Sequence, residues 1–164
     1  MLTEKEFEEF YSENYRRIYN YFYYATMSHH TAEDLTSVTF FKFFRSMDRY
    51  DENISGKLTF ALKIAKNVAV DHFRKNKDHK EVSIGDEEAY EFECNSADRL
   101  LLSEILSELP VRDRQVLYYR YYLDMSSEKI AEIMGISLTN ATTLCSRALK
   151  KAKKVFEKCD KKAM

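Results

Sequence analysis

The sequence predicts an all-helical protein, and three observations lead to that prediction. The 164 residues include only three glycines and one proline, too few for the turns of an all-β fold. Hydrophobic residues make up 45% of the chain, enough to build a core. They recur at intervals of three and four over several long segments, which is the spacing of one helix face.

Two small helical domains are expected, joined by a flexible acidic linker. The first domain is predicted to span residues 1–76, the linker 77–97, and the second domain 98–164. The linker prediction depends on charge, because residues 81–98 hold seven acidic and no basic side chains and show weak periodicity. Such a segment favours a tether over a packed element.

The beginnings of the first two helices are predicted from capping residues. Thr3 and Glu6 fit a capping box, in which a hydroxyl and a carboxylate satisfy free backbone N–H groups. The helix behind them is expected to run to about Met27. A second helix is expected to begin at another cap, formed by Thr31 and Asp34.

The second helix is expected to end near Met47, and residues 48–57 are predicted to be a polar loop. A third helix with an apolar stripe then ends near Asn76. The second helix is rich in phenylalanine, and four rings are too many for a single inward stripe. Some of them are therefore predicted to form an exposed docking surface. The four are Phe40, Phe41, Phe43 and Phe44.

In the second domain, one helix is expected to stop before Pro110 and another to cover residues 111–123. The stretch "SSEKIAEIMGISLTNATTLCSRALKK" then predicts a helix-turn-helix. Ser126 is a plausible N-cap, Gly135 suits a left-handed turn, and Ser137 can cap the second helix. We expect that helix to end before a tail that begins at Lys158.

The last helix of the pair has small residues on its inner side and polar residues on its outer side. No lysine or arginine occurs between Leu138 and Ser146. An ordinary helical hairpin with a solvated face predicts the same pattern. The inward set is Ala141, Cys145, Ala148, Leu149 and Ala152, and the outward set is Thr139, Asn140, Thr142, Thr143, Ser146, Arg147 and Lys150.

Other classes of protein are disfavoured by what the sequence lacks. The three cysteines are widely spaced, which indicates reduced thiols in a cytoplasmic protein. The N-terminus does not have the pattern of a signal peptide, and no stretch has the ~20 apolar residues of a membrane span. Neither a catalytic grouping, a metal site nor a cofactor motif is recognised, so an enzyme is the weakest choice.

Three ordered segments resemble the extracytoplasmic-function (ECF) sigma factors of bacteria, the promoter-specificity subunits of RNA polymerase. "TAEDLTSVTFFKFF" is similar to the family's polymerase-binding helix, and "FALKIAKNVAVDHFRKN" to its helix for the promoter −10 element. "LSELPVRDRQVLYYRYYLDMSSEKIAEIMGIS" resembles the opening of the domain that reads the −35 element. The resemblance covers nearly all of the chain.

The resemblance implies three binding surfaces, an alternative sigma factor as the function, and core polymerase, promoter DNA and an anti-sigma factor as partners. Polymerase-binding candidates are Asp34, Leu35, Ser37, Val38 and Phe41. Candidates for the −10 element are Tyr50, Asn53, Lys63, Lys66, Asn67 and Arg74. Candidates for the −35 element are Ser137, Thr139, Asn140, Thr142, Thr143, Ser146, Arg147 and Lys150.

Several positions depart from the family's pattern. Ser37 and Val38 replace a usual glutamine and an acidic residue. Phe60 stands for a tryptophan, and Lys129 for the glutamate of a capping box. Thr142 and Leu144 occupy places that usually carry basic residues.

The missing basic residues suggest that the last helix reads an A·T-leaning element, because arginine favours guanine while Asn and Thr suit adenine and thymine. Phosphate attraction is expected from Arg147, Lys150, Lys151, Lys153 and Lys154. Two alternatives remain open. One is a sigma-like protein that binds polymerase or a regulator without reading −35 DNA, and the other is a stand-alone helix-turn-helix regulator.

Overall fold

The computed structural model describes residues 2–76 and 96–163, within which all regular structure is helical, as the sequence predicts. Contacts divide the chain into two compact units, Met1–Glu87 and Glu88–Met164. Most of the predicted linker lies outside the described residues. No helix of the described part is long and apolar enough to cross a membrane. The helices are α1 (Glu4–Thr26), α2 (His29–Arg45), α3 (Lys57–Lys75), α4 (Ser96–Ser107), α5 (Val111–Leu117), α6 (Ser127–Met134) and α7 (Leu138–Ala163).

Helix α1 begins at the predicted capping box. The Thr3 hydroxyl accepts the Glu6 backbone N–H at 3.2 Å, and the Glu6 carboxylate accepts the Thr3 N–H at 2.8 Å. The hydrogen bonds that Thr3 donates to this carboxylate, from its backbone N–H and from its hydroxyl at 3.0 Å, lower the pKa of Glu6. The helix ends at Met27, which adopts a left-handed conformation with φ of 56°. The capping-box prediction is therefore confirmed.

The prediction for the start of α2 is wrong by three residues. The helix begins at His29, and its N-cap is Ser28, whose hydroxyl accepts the Thr31 backbone N–H at 3.3 Å. Thr31 is thus inside the first turn. The reason is the left-handed Met27, which turns the chain so abruptly that Ser28 is already in the extended conformation a cap requires. The helix also ends at Arg45, before a short 3₁₀ turn at Met47–Arg49.

Aromatic rings form the core of the first unit, in which α1 and α3 both pack against α2. Phe43 of α2 is fully buried at the centre. Its ring stacks on Phe10 with centroids 4.7 Å apart and also contacts the rings of Phe7, Phe60 and Tyr50. Aromatic pairs at these distances contribute beyond the area that they bury. Phe60 of α3 completes this cluster.

The second unit is held by small apolar contacts and by cations that bind backbone oxygens. The Arg114 guanidinium of α5 donates to the Leu109 carbonyl at 2.9 Å and to the Ser107 carbonyl at 3.2 Å. It thereby satisfies oxygens at the C-terminal end of α4. Burial lowers the pKa of Arg114. The helix predicted over 111–123 is not uniform, because α5 passes into a π-helical turn at Tyr118–Tyr122.

Helix α7 is longer than predicted, because it continues to Ala163 instead of ending before a tail at Lys158. Val155, just before this extension, is buried, and Cys159, inside it, is half-buried. Helices α4, α5 and α6 all pack against α7. Packing by a neighbouring helix therefore accounts for an extension that the lysine-rich sequence did not reveal.

Candidate nucleic-acid and protein interfaces

The predicted polymerase-binding residues share the outer face of α2. Asp34, Ser37, Val38 and Phe41 are exposed and Leu35 is half-buried. Phe41 exposes 60% of its surface, in a helix whose other face forms the aromatic core. Val38, one turn before Phe41, is also exposed, at 41%, and adjacent exposed apolar side chains rimmed by polar ones indicate a protein-binding surface.

Phe41 also has a cation beside its ring, because the Arg45 guanidinium lies 5.8 Å from the ring centroid. Phe44 is a second exposed ring on this helix, at 45%. The sequence prediction that some of the four phenylalanines point away from the core is therefore confirmed. The outer face of α2, defined by Asp34, Val38 and Phe41, is available for a partner.

The predicted −10 residues of α3 share one helix face. Lys63, Lys66, Asn67 and Arg74 lie three, four or seven residues apart, which places them on one side of the helix. Asn67 and Arg74 are exposed, while Lys63 and Lys66 are half-buried. Arg74 lies 3.8 Å from the Asp71 carboxylate, and both side chains are largely exposed. Such a pair is weak and readily exchanged for a phosphate contact.

The loop before α3 forms a small pocket of about 230 Å³. Asn53 is fixed there, because the Asp51 carboxylate accepts both its backbone N–H at 2.9 Å and its side-chain amide at 3.0 Å. Tyr50 lines the pocket but is only 9% exposed, since its ring packs against Phe43 and Phe60. Burial, and then the carboxylates of Glu52 and Asp51, raise the pKa of Tyr50. Tyr50 is therefore a wall of the pocket and not a projecting ring.

Sequence reasoning missed several residues next to these surfaces. Asp51 orients Asn53, and the order Asp-x-Asn in a polar loop is a recognisable signal for such a turn. Val70 is 43% exposed on the same side of α3 as the cations. A second pocket of about 310 Å³ lies between α2 and α3 and brings Lys42 and Arg45 to Asn67. Nothing in the local sequence pattern connects those last three side chains.

Helices α6 and α7 form the predicted helix-turn-helix. The Ser126 hydroxyl accepts the Lys129 backbone N–H at 3.3 Å, and Gly135 ends α6 with φ of 66°. The Ser137 hydroxyl accepts the Asn140 backbone N–H at 3.1 Å and so begins α7. All three capping predictions for this motif are confirmed. The turn is fixed at both ends by the residue types that such turns require.

The two sides of α7 divide as expected. Ala141, Cys145 and Ala148 are buried against α6 and α5, while Leu149 and Ala152 are half-buried. Burial raises the pKa of the Cys145 thiol, which is consistent with a packing role. The polar set is wholly exposed: Ser137, Thr139, Asn140, Thr142, Thr143, Ser146, Arg147 and Lys150.

Lys151, one of the lysines expected to attract phosphates, forms an ion pair within the second unit instead. Lys151 lies 2.9 Å from the carboxylate of Asp113, and the Asp113 side chain is only 5% exposed. Lys151 therefore neutralises a buried charge on α5 and is a poor candidate for DNA. Lys153, Lys154 and Lys150 are exposed.

Comparison with known proteins identifies both units. The family model described as Sigma-70 region 2 matches residues 10–79, and the model described as Sigma-70, region 4 matches residues 99–151. The first match covers most of α1 and all of α2 and α3. The second covers the helix-turn-helix but ends before the extension of α7.

Two relatives match over almost their full length. The ECF RNA polymerase sigma factor SigM of Bacillus subtilis (strain 168) is 28% identical over 159 residues, which are 92% of this chain and 95% of SigM. The RNA polymerase sigma factor YlaC of the same strain is 29% identical over 160 residues, 92% of each chain.

Among solved structures, the sigma factor RpoE from Bartonella quintana, in complex with the anti-sigma factor NepR, superimposes with a TM-score of 0.79. The match has 20% sequence identity and covers 93% of this chain and 98% of RpoE. Likeness at that identity establishes the shared fold. Regions 2 and 4 stand in order, and SigM and YlaC match over 95% and 92% of their lengths. The chain belongs to the ECF sigma factor family and is an alternative sigma factor that binds core RNA polymerase and directs promoter-specific transcription initiation.

Proposed function

We propose that this sigma factor uses three of the surfaces described above to bind core polymerase, the −10 element and the −35 element. The outer face of α2 docks on core polymerase, α3 and the loop before it bind the −10 element, and α7 reads the −35 element. The observation that carries the assignment is the exposure of the polar set on a capped α7. Because polymerase and chromosome meet in the cytoplasm, the protein acts there.

The proposal for the −10 element rests on charge and on a preformed pocket. Lys63, Lys66 and Arg74 supply positive charge for phosphates along one face of α3, and the exposed Asn67 amide offers both a donor and an acceptor. The pocket beside Asn53 is polar and small. A loop pocket of this kind suits an unstacked base, because the edge of a paired base is not free to enter it.

The proposal for the −35 element rests on the side chains that α7 presents. The N-terminal turns of the second helix of such a motif contact base edges in the major groove. Here those turns carry Asn140, Thr142 and Thr143 with no cation, so we infer an A·T-leaning element. Arg147 and Lys150, two turns later and exposed, supply the phosphate contacts.

An anti-sigma factor is the proposed regulator. RpoE of Bartonella quintana is found in complex with one, and this chain has the same fold. The outer face of α2 is the proposed contact, because Val38 and Phe41 are exposed apolar side chains. An inhibitor on that face would compete directly with polymerase.

In vitro transcription with purified core polymerase and genomic fragments tests the whole proposal. We expect promoter-specific transcripts, loss of core binding with Phe41→Ala, and loss of −35 dependence with Asn140→Ala. Glu157→Ala, an exposed change farther along α7, is the matched control and should leave transcription unchanged. Lys66→Ala should weaken promoter binding and reduce its salt dependence by about one counterion.

A different outcome would favour a second function. The absence of any cation between Leu138 and Ser146 is compatible with a protein that binds polymerase or a regulator without reading −35 DNA. Core binding without promoter-specific initiation would support that function and reject the −35 assignment. DNA binding without core polymerase would instead indicate a stand-alone regulator.

A further inference from the structure

The beginning of α7 is mostly polar in sequence, but Leu138 and Thr142 form a small apolar patch on its surface. Leu138, the first residue of the helix, is 48% exposed. One turn later, the Thr142 hydroxyl donates to the Leu138 backbone carbonyl at 3.0 Å. The hydroxyl is thus engaged with the helix itself, and the γ-methyl group is the apolar part of this exposed side chain.

Leu138 and Thr142 both carry methyl groups and lie next to each other on the surface of α7. Residues four apart on a helix lie one above the other on the same side. The Ser137 cap fixes the beginning of α7, so the position of this pair is set by the backbone. The pair stands at the end of the helix whose side chains contact base edges in a helix-turn-helix.

We propose that Leu138 and Thr142 form a methyl-reading patch, which recognises the 5-methyl groups of thymines in the major groove of the −35 element. Thymine is distinguished there by its methyl group, and apolar side chains contact it. The patch makes the A·T preference specific, since a donor or cation at these positions would favour other bases. The inference rests on the proposed −35 role of α7.

Deoxyuridine provides the test, because it differs from thymidine only by lacking this methyl group. Each thymine of the −35 element, on either strand, is replaced singly in a promoter that the holoenzyme transcribes. Competition binding of the holoenzyme is then measured at fixed salt. At one or two positions we expect affinity to fall about three- to fivefold, the loss that follows from exposing one methyl group. At the remaining positions we expect no change.

Two substitutions of Thr142 separate the methyl group from the hydroxyl group. Thr142→Ser keeps the hydroxyl and removes the methyl, so deoxyuridine should no longer weaken binding at the position that Thr142 contacts. Thr142→Val keeps the methyl and removes the hydroxyl, and its sensitivity to deoxyuridine should match the wild type. Leu138→Ala should abolish the sensitivity at the neighbouring thymine. Helicity and core binding of each variant are measured alongside.

Several results would overturn the inference. One is wild-type binding that is indifferent to deoxyuridine at every −35 thymine, and another is a Thr142→Ser protein with unchanged sensitivity. Reduced core binding by Leu138→Ala, with deoxyuridine sensitivity intact, would assign Leu138 to a protein contact. Failure of the proposed −35 role itself looks different, because transcription would then not respond to any base change in that element.

Discussion

The two units hold their helices together in different ways. In the first unit, aromatic rings around Phe43 form the core, and the cations of α3 are half-buried or exposed. In the second unit, Arg114 binds carbonyls at the end of α4, and Lys151 neutralises the buried Asp113. Arg120 also donates to a backbone oxygen, that of Met125, at 3.2 Å.

The comparison shows that the role of a lysine in this protein depends on its partners in the fold and not on its neighbours in the sequence. Lys66 and Lys151 both occupy amphipathic helices with basic neighbours. Among residues 2–76 and 96–163, no acidic side chain forms an ion pair with Lys66, whereas a buried carboxylate 38 residues away in the chain fixes Lys151. Substitutions that separate binding from stability should therefore behave differently in the two units.

The largest effect is expected at the centre of the aromatic core. Phe43→Ala removes a fully buried ring and should cost about 3–5 kcal/mol of the free energy of unfolding of the first unit. Phe41→Ala, two residues away and exposed, should cost less than about 0.5 kcal/mol and yet abolish core binding. Hydrogen exchange of peptides from α1–α3 reports the first quantity, and pull-down with core polymerase reports the second. Equal destabilisation by both changes would contradict the assignment of Phe41 to the surface.

The next effect concerns the buried carboxylate of the second unit. Lys151→Met leaves Asp113 without its cation and should destabilise α5 and α7 by about 2 kcal/mol, less than for a fully buried pair because Lys151 is half exposed. Lys150→Met is the matched control and should change stability by less than about 0.5 kcal/mol. Exchange rates of α5 and α7 peptides measure both.

A double variant, Lys151→Met with Asp113→Asn, separates the energy of the ion pair from other effects of Lys151. The Lys151→Met/Asp113→Asn protein should recover part of the lost stability, because the uncompensated charge is gone. A double variant with the summed loss of the two single variants would show that Lys151 acts on something other than Asp113. DNA binding by Lys151→Met, normalised for folded protein, should remain close to that of the wild type.

A smaller effect is expected for the arginine at the end of α4. Arg114→Met keeps the apolar stem but removes donors to the Ser107 and Leu109 carbonyls. A loss of about 1.5 kcal/mol should follow, seen as faster exchange in α4 and α5 peptides. The exposed neighbour Arg112 provides the control, since Arg112→Met should leave those peptides unchanged. No difference between the two variants would mean that solvent replaces the carbonyl contacts.

Local signals allowed much of the fold to be predicted from the sequence. The caps at Ser126 and Ser137 and the left-handed Gly135 involve residues within three positions of one another. Such interactions depend on side-chain type and spacing, both of which the sequence displays. The apolar spacing likewise placed α1 and α3 to within one or two residues.

Features that depend on distant partners were not predictable. Ser28 and Thr31 are both of a type that caps helices, and the left-handed end of α1 places Ser28 at the cap position. Lys151 looks like its neighbours until Asp113 is brought beside it. Tyr50 lies in a polar loop, yet its ring is drawn into the aromatic core. Each of these outcomes is set by tertiary packing.

The smallest expected effect compares the caps of the two units at low pH. Helix α1 has both halves of its capping box, whereas α6 has Ser126 but carries Lys129 where a carboxylate would complete the box. The pKa of Glu6 is lowered in the folded protein by its hydrogen bonds from Thr3. Its contribution is therefore fully present above the pKa of the unfolded chain and is lost as the pH falls through the lowered folded value.

An NMR titration of backbone amides measures this difference. The Thr3 amide should shift as Glu6 is protonated, and Glu6→Gln should remove the shift. The Ser126 amide should not respond in the wild type. Lys129→Glu should install the missing half of the box, stabilise the first turn of α6 above the carboxylate's pKa, and make the Ser126 amide respond to acid. A silent Ser126 amide in Lys129→Glu would mean that this turn holds its cap in a geometry that a carboxylate does not reach.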